Sequence, residues 1–495
     1  MLRGLLVFLL ALAGWGGALW FWVRPDFGQW TLPVVGAIHA VPPLVVWLGW
    51  GLWRLWRRRA ERRQAAATAE QEAAAEGERQ AVLADAREKH AAELRQQRTG
   101  CDCRGMAMTQ IAQAPDAQPA FGLAKEGVDF SPGDAEDGVE DDISIVDHLR
   151  PGIAEALSSL YRRCPGATVL PIYVLPPAEA VGEEVFACLR AARADIAQDF
   201  GLPERRAADF NRILFLPGAD CIANSVIGLF DSAPDLPGAV VLAFDSAQLR
   251  ALQQDEEEGA ESTPQLAERR KWLGPPSQGV FALLFTHPEL DVMLDAAQRV
   301  EGDHDAMTPY WERGLPGNGH QILLAALTPE EREGLRQAPV LARVHRAAFA
   351  QFAAERRHTM AMVRNVQTLL ERAQVNAALV ASPFAEAAPA AEEAQGSPPP
   401  ECGWLVHNAG SVDRSGNRVA TLGVALFNRG LAVDPIDTGT NLVVHGGDYG
   451  QARGVALLAL TIARAAQEQA AALCAEFSGD DGLGLFFAVP PGEPA

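Results

Sequence analysis

Two apolar runs at the N-terminus constrain this chain more than any other feature. Leu5 to Val23 is a 19-residue run without a charge, long enough to cross a hydrocarbon core of about 30 Å at about 1.5 Å per helical residue. After RPDFGQ a second apolar stretch runs from Trp30 to Trp56, interrupted by Arg54 and containing Pro33, His39, Pro42 and Pro43. Trp20, Trp22, Trp47, Trp50 and Trp53 crowd the ends of the runs, where interfacial anchors sit. Arg57, Arg58, Arg59, Arg62 and Arg63 follow the second run, whereas the joining loop has only Arg24 beside Asp26. The positive-inside rule then predicts a two-helix transmembrane hairpin over residues 1–59. It meets the bilayer through residues 5–56 and leaves both the N-terminus and the C-terminal body in the cytoplasm. A cleaved signal peptide fits less well, because no small-x-small site precedes the Trp-rich end and a second span follows.

Residues 60–103 are dominated by Ala, Glu, Gln and Arg, strong helix formers with few large apolar side chains. Without a sustained heptad they predict a solvated juxtamembrane stalk rather than a coiled coil. Residues 104–144 read as an irregular, acidic linker ending in GDAEDGVEDD, whose spacing is not that of a calcium loop. Charge divides along the same line. The first 100 residues hold 13 Lys/Arg against 9 Asp/Glu, a net +4, so a chain of net −21 leaves −25 for the rest. Such a body repels phosphate backbones, and no nucleic-acid partner is expected.

Within residues 145–383 apolar runs alternate with helical patterns: TVLPIYVLPP, RILFLPG, GAVVLAFDS and GVFALLFTHPEL are separated by segments such as Ala178–Phe200 and CIANSVIGLFDSA. The alternation predicts an α/β domain with a largely parallel sheet and helices on both faces. Thr328, Pro329 and Glu331 form a helix-start signal. Residues 384–401, rich in Pro, Ala and Glu, read as a linker. The rhythm resumes over 402–495 with WLVHNAG, a helix from Asn417 to Arg429, NLVVHGG, a helix from Gln451, ALCAEFSG and GLGLFFAVPP. This segment is either an independent C-terminal α/β domain or the second of two related halves.

Chemistry is sparse at the motif level. G-x-S-x-G, a P-loop, H-E-x-x-H and a convincing G-x-G-x-x-G are all missing, so no catalytic signature or cofactor is expected. Seven cysteines lack a disulfide spacing, and nothing near Cys101-Asp-Cys103 completes a metal set. Cys221 lies after a strand at the start of a helix, where the N-terminus favours thiolate. With His407 and His445, each read as ending a strand, it resembles the cysteine and histidines of thiolase-like acyltransferases. The small-residue glycine loops around those groups are not matched. Turn chemistry accounts for other polar residues: Asp434 and Asp437 flank Pro435, Asp448 precedes a helix, and His407-Asn408 closes a strand ahead of a helix started by Asp413 or Asn417. Met307, Tyr310, Trp311 and Arg313 lie in a stretch without periodicity and read as a partner-binding anchor.

Three stretches together carry a resemblance: Met307-Thr308-Pro309-Tyr310-Trp311-Glu312; Trp404–Gly410 with Asn417-Arg418; and Asp434-Pro435-Ile436-Asp437 with His445-Gly446-Gly447-Asp448. Over residues 145–490, apart from the 384–401 linker, the chain is similar to the type VI secretion lipase adapter family. That resemblance implies an inner-membrane, non-enzymatic adapter that binds an effector, a lipase, and helps load it onto the secretion spike. It carries over no catalytic residue. The rival expectation is acyl transfer by Cys221 with His407 or His445.

Overall fold

A computed structural model describes residues 2–22, 31–97, 100–111, 127–132, 144–200, 213–251, 273–295, 327–352, 359–380, 401–479 and 482–491. The chain divides into two compact units, Met1–His90 and Ala91–Ala495. The first holds helix α1 (Leu2–Trp22) and most of helix α2 (Leu32–Gln97), and Trp15 Nε1 donates to the Ile38 carbonyl at 2.7 Å. The second apolar run and the stalk are therefore one helix, continuous through Pro42 and Pro43. Among the described residues one helical stretch, Gly36–Lys89, is long and apolar enough to cross a membrane, and Phe8–Phe21 is a shorter apolar stretch. The expected pair of spans is thus not met in full, because only one stretch among the described residues qualifies as a span.

The second unit is a mixed α/β fold around a 12-stranded sheet. Its strands are β1 (Cys101–Ile111), β2 (Val128–Pro132), β3 (Ile172–Leu175), β4 (Ile213–Phe215), β5 (Gly238–Ser246), β6 (Gln278–Thr286), β7 (Ala342–Val344), β8 (Ala348–Gln351), β9 (Cys402–His407), β10 (Gly439–Asn441), β11 (Ala471–Ser478) and β12 (Gly482–Val489). Its main helices are α3 (Arg150–Arg163), α4 (Gly182–Ala197), α5 (Ile222–Ser232), α6 (Pro329–Gln337), α7 (Thr359–Asn376), α8 (Val412–Asn428) and α9 (Arg453–Glu468).

The strand order is β10-β9-β11-β12-β7-β1-β6-β5-β3-β4. Leaving aside β2, which pairs with β1, and β8, which pairs with β12, each side runs outward from the antiparallel β7–β1 seam as first, fifth, fourth, second and third strand of its own half. Helices recur at matching places, with α3, α4 and α5 in one half and α7, α8 and α9 in the other. Residues 402–495 are therefore not a separate domain: they complete a half that begins at β7. The sheet is also not largely parallel, since β1–β6, β5–β6, β11–β12, β12–β7, β12–β8 and the seam are all antiparallel. Fully buried strands such as β5 and β6 read as unbroken apolar runs in either direction, which hides polarity from the sequence.

Burial follows the alternation of side chains along each strand. Val240, Leu242 and Phe244 pack with α3 and α4, whereas Val241 and Ala243 turn inward. Leu473 and Ala475 pack with α7 and α8, whereas Ala472 and Cys474 turn inward. The inward sets from both halves form one core with α5 and α9, whose buried faces include Val226, Ile227 and Phe230 of α5 and Leu457, Leu458 and Ile462 of α9. At α6, Thr328 Oγ1 accepts from Glu331 N at 3.2 Å and Glu331 Oε2 accepts from Thr328 N at 2.7 Å, the reciprocal cap its sequence predicts.

Three local expectations need correction. The stalk and linker do not run to residue 144, because β1 begins at Cys101 and β2 lies at Val128–Pro132. Charges concealed that strand: Asp102 is buried against Arg343 (2.7 and 3.0 Å), and Arg104 donates to Thr286 Oγ1 (3.1 Å) and the Ala338 carbonyl (2.6 Å). NLVVHGG is not a strand: Leu442–His445 is a single helical turn after the three-residue β10. Finally, α8 starts at Val412 with Ser411 as its N-cap residue, so neither Asp413 nor Asn417 starts it.

Candidate functional site

Helices α5 and α9 both begin at one cavity of about 270 Å³. Cys221 is the N-cap residue of α5, extended at φ −144° and ψ 146°. Its carbonyl accepts from Asn224 N (3.0 Å) and Ser225 N (3.1 Å), so the thiol is fixed to the first turn. The thiol is 2% exposed and donates to Glu476 Oε2 at 2.8 Å. Glu476 comes from β11, where alternation turns it inward beside Cys474. The same oxygen accepts from Ile222 N at 3.0 Å, so one carboxylate serves both the thiol and a free N–H of α5. Ile222 and Glu476 line the cavity, whereas Cys221 is not itself a lining residue and meets it through its contact with Glu476.

The walls are held from several elements. Asn408, just past β9, donates to the Phe477 carbonyl (3.0 Å) and accepts from Phe477 N (2.7 Å). Arg418 of α8 donates to the Gly479 carbonyl at 2.8 Å and lies over the Phe477 ring. Gln451, another lining residue, donates its N–H to Asp245 at the end of β5 (2.6 Å), which also accepts from Ser246 N (2.8 Å) and Arg250 (3.0 Å). Arg453, the first residue of α9, supplies a cation to the lining.

Electrostatics keep the proton with the thiol–carboxylate pair. Burial, then the neighbouring Glu476 charge, pushes the Cys221 thiol well above its ordinary value. Burial likewise raises Glu476, opposed by the hydrogen bonds from Cys221 and Ile222 and by the Arg453 charge. Cys221 at rest is therefore a thiol rather than the thiolate that its helix position alone suggests. The carboxylate in hydrogen-bond reach is the group able to accept its proton as the sulfur reacts.

Neither histidine paired with Cys221 by sequence lines this cavity. His407 shares the outer face of β9 with Leu405, since Val406 between them turns inward. Its Nδ1 accepts from Ala409 N at 3.2 Å and its Nε2 faces the Pro435 carbonyl at 2.9 Å. Burial holds its pKa down at about 4. This histidine is locked neutral in a strand-end turn. His445 ends a helical turn rather than a strand, and burial and the Arg464 charge lower its pKa.

Asp434 Oδ1 accepts from Ile436 N (2.8 Å) and Asp437 N (3.0 Å), closing a turn on which Asp437 is exposed. Asp448 Oδ1 accepts from Gly450 N (3.0 Å), while its backbone pairs with Pro275 and Ser277. Met307, Tyr310, Trp311 and Arg313 lie outside the described residues, as does the linker through residue 400. Cys101 and Cys103 are buried free thiols, and among the described residues no group of three or more His, Cys, Asp or Glu is placed to hold a metal. The sequence offered Cys221 as the nucleophile of the rival reading and Asn408 as a turn residue, and did not single out Glu476, Asp245 or Arg453. The one signal for Glu476 was a lone acid at an inward position of an apolar strand.

No protein-family model matches this sequence, and no curated protein matches it. Solved structures do align. Cerulenin-bound OleA of Xanthomonas campestris aligns with a TM-score of 0.39 at 11% identity, covering 79% of this chain and 98% of that one. Acetamide-bound OleA gives 0.39 at 12%, covering 79% and 98%. Human mitochondrial 3-ketoacyl-CoA thiolase gives 0.38 at 9%, covering 80% and 100%. The aligned structures include a thiolase, an enzyme, which runs against the expectation of a non-enzymatic chain. That expectation rested on missing local motifs, and a thiol and carboxylate 255 positions apart leave none. The TM-scores near 0.4 assign neither a reaction nor a residue.

Proposed function

We propose that the second unit is a thiolase-like acyl-transfer enzyme in which Cys221 is the nucleophile and Glu476 its proton acceptor. The observation that carries this reading is the 2.8 Å thiol–carboxylate contact at the start of α5, against the cavity. In the reaction the Cys221 sulfur attacks the carbonyl carbon of an acyl thioester while its proton passes to Glu476. Charge on the carbonyl oxygen develops near the N-terminal ends of α5 and α9, where helix dipoles favour it. The carbon–sulfur bond to the carrier then breaks, and the departing thiol takes the proton back from Glu476. The products are acyl-Cys221 and a free carrier thiol. The test is incubation of the full chain with a short-chain acyl thioester, followed by digestion and mass measurement of the Cys221 peptide. An acyl adduct that Cys221→Ser abolishes supports the reading, and an unmodified peptide after prolonged incubation overturns it.

A second reading has its own observation. Helix α8 meets the Asp434–Asp437 turn, where a Cβ on Gly423 would lie 3.6 Å from Pro435, and nearby Phe427 and Ile436 are 82% and 64% exposed. Apolar exposure of this kind suits a protein partner, and the turn is one of the stretches similar to the type VI lipase adapter family. On this reading the chain sits at a bacterial inner membrane through its N-terminal helices and presents the cytoplasmic α8 face to a lipase effector or the secretion spike. Phe427→Asp should then abolish co-purification with the effector while acylation of Cys221 persists; retained co-purification removes this surface.

A further inference from the structure

We infer that the acyl group accepted beside Cys221 is short and ends in an anion, a carboxylate or its equivalent, recognised by Arg453. This inference rests on the acyl-transfer reading. The cavity's roughly 270 Å³ lies at the lower edge of the ~300–1,000 Å³ usual for drug-sized ligands, which suits a short acyl chain. Leu175, Leu216, Leu457 and Phe477 provide apolar wall for those carbons. The far group must then meet the polar part of the lining, where Arg453 is the cation.

Arg453 feels two internal carboxylates, Glu476 and Asp448, and its ion pair with Asp448 is a long one that leaves it suited to an external anion. Its Nε lies 4.0 Å from Asp448 Oδ1, beyond the 2.7–2.9 Å of a charge-assisted hydrogen bond. That oxygen already accepts from Gly450 N at 3.0 Å. Arg453 also stands in the first turn of the 16-residue α9, whose dipole adds to its charge. Its field reaches the reactive pair, since it opposes the upward shift of Glu476. The rest of the chain works the other way. A net charge of −21 repels anions in general, so any preference for an anionic reagent at Cys221 must be local.

The experiment compares alkylation of Cys221 in the full chain by iodoacetate and by iodoacetamide, followed by mass measurement of the Cys221 peptide. In both reactions the sulfur displaces iodide from carbon and the thiol proton leaves through Glu476 to water. The reference is the iodoacetate-to-iodoacetamide rate ratio at the same cysteine in the urea-unfolded chain. The folded chain should show a ratio about tenfold higher, as expected for one charge a few ångströms away at intermediate dielectric. Arg453→Gln should return the ratio to the unfolded value, and Arg453→Lys should keep most of the gain. Labelling by both reagents at the unfolded ratio overturns the anionic specificity and leaves acyl transfer standing. A Cys221 that neither reagent reaches overturns both. A raised ratio that survives Arg453→Gln overturns the assignment to Arg453.

Discussion

Asp245 and Glu476 occupy matching places in the two halves. Each stands on the corresponding strand of its own half, β5 or β11, and each carboxylate binds the N-terminal end of the other half's central helix. Asp245 on β5 takes Gln451 N at 2.6 Å ahead of α9, and Glu476 on β11 takes Ile222 N at 3.0 Å at the start of α5. The pair differs in what else it holds: Arg250 on Asp245, and the Cys221 thiol on Glu476. A structural device repeated in both halves carries a nucleophile in only one of them.

Asp245→Ala should destabilise the second unit by roughly 2–4 kcal/mol, because it leaves Gln451 N–H, Ser246 N–H and one face of Arg250 without an acceptor. Urea unfolding followed by tryptophan fluorescence measures the loss. A change within about 0.5 kcal/mol, the scale of an ordinary surface substitution, would show that the clamp holds nothing.

Glu476 gives the stability a pH signature. Burial raises its folded pKa above the unfolded value, so the folded state binds the proton more tightly. Its contribution is fully present below the unfolded pKa and is lost as pH rises through the higher folded one. Glu476→Gln, which cannot ionise, should flatten that decline over the window starting near the ordinary carboxylate range. Urea midpoints for both proteins at several pH values decide the point. Parallel curves would mean that Glu476 does not titrate in this window.

Gly484 is where the thiol needs space. A Cβ there would lie 2.8 Å from Cys221 Sγ and 3.0 Å from its Cβ. Gly484→Ala should cost about 1–3 kcal/mol through overpacking, and Cys221→Ala in the same chain should recover part of it. Additive effects in this double-mutant cycle would place the two residues out of contact.

Asn408→Ala removes both hydrogen bonds to the Phe477 backbone and leaves a buried N–H and C=O unpaired. The expected cost is about 2–3 kcal/mol, with faster alkylation of Cys221 as the cavity wall loosens. Stability lost without faster alkylation would make Asn408 a fold residue alone.

Legibility in the sequence tracked the nature of each residue's partner. Strands β5, β6, β11 and β12 could be read because apolar runs declare burial, and α6 could be read because its cap lies within four residues. β1 could not, since Asp102 and Arg104 look exposed until Arg343 and Thr286 are seen across the sheet. Cys221 was legible as a helix-start cysteine. Its partner was mistaken for a histidine, because histidines are conspicuous at strand ends, whereas Glu476 is one acid in an apolar run. His407 showed the reverse: a residue type that suggests catalysis is held neutral by burial, its ring nitrogens set against a backbone carbonyl and a backbone N–H.

The crossed carboxylates have a consequence for how such a chain can vary. A change at residue 245 is felt at the helix 206 positions later, and a change at 476 is felt at the helix 254 positions earlier. Neither half can drift, be exchanged or be expressed alone without exposing the other's central helix to the loss. The two halves are therefore expected to be inherited together.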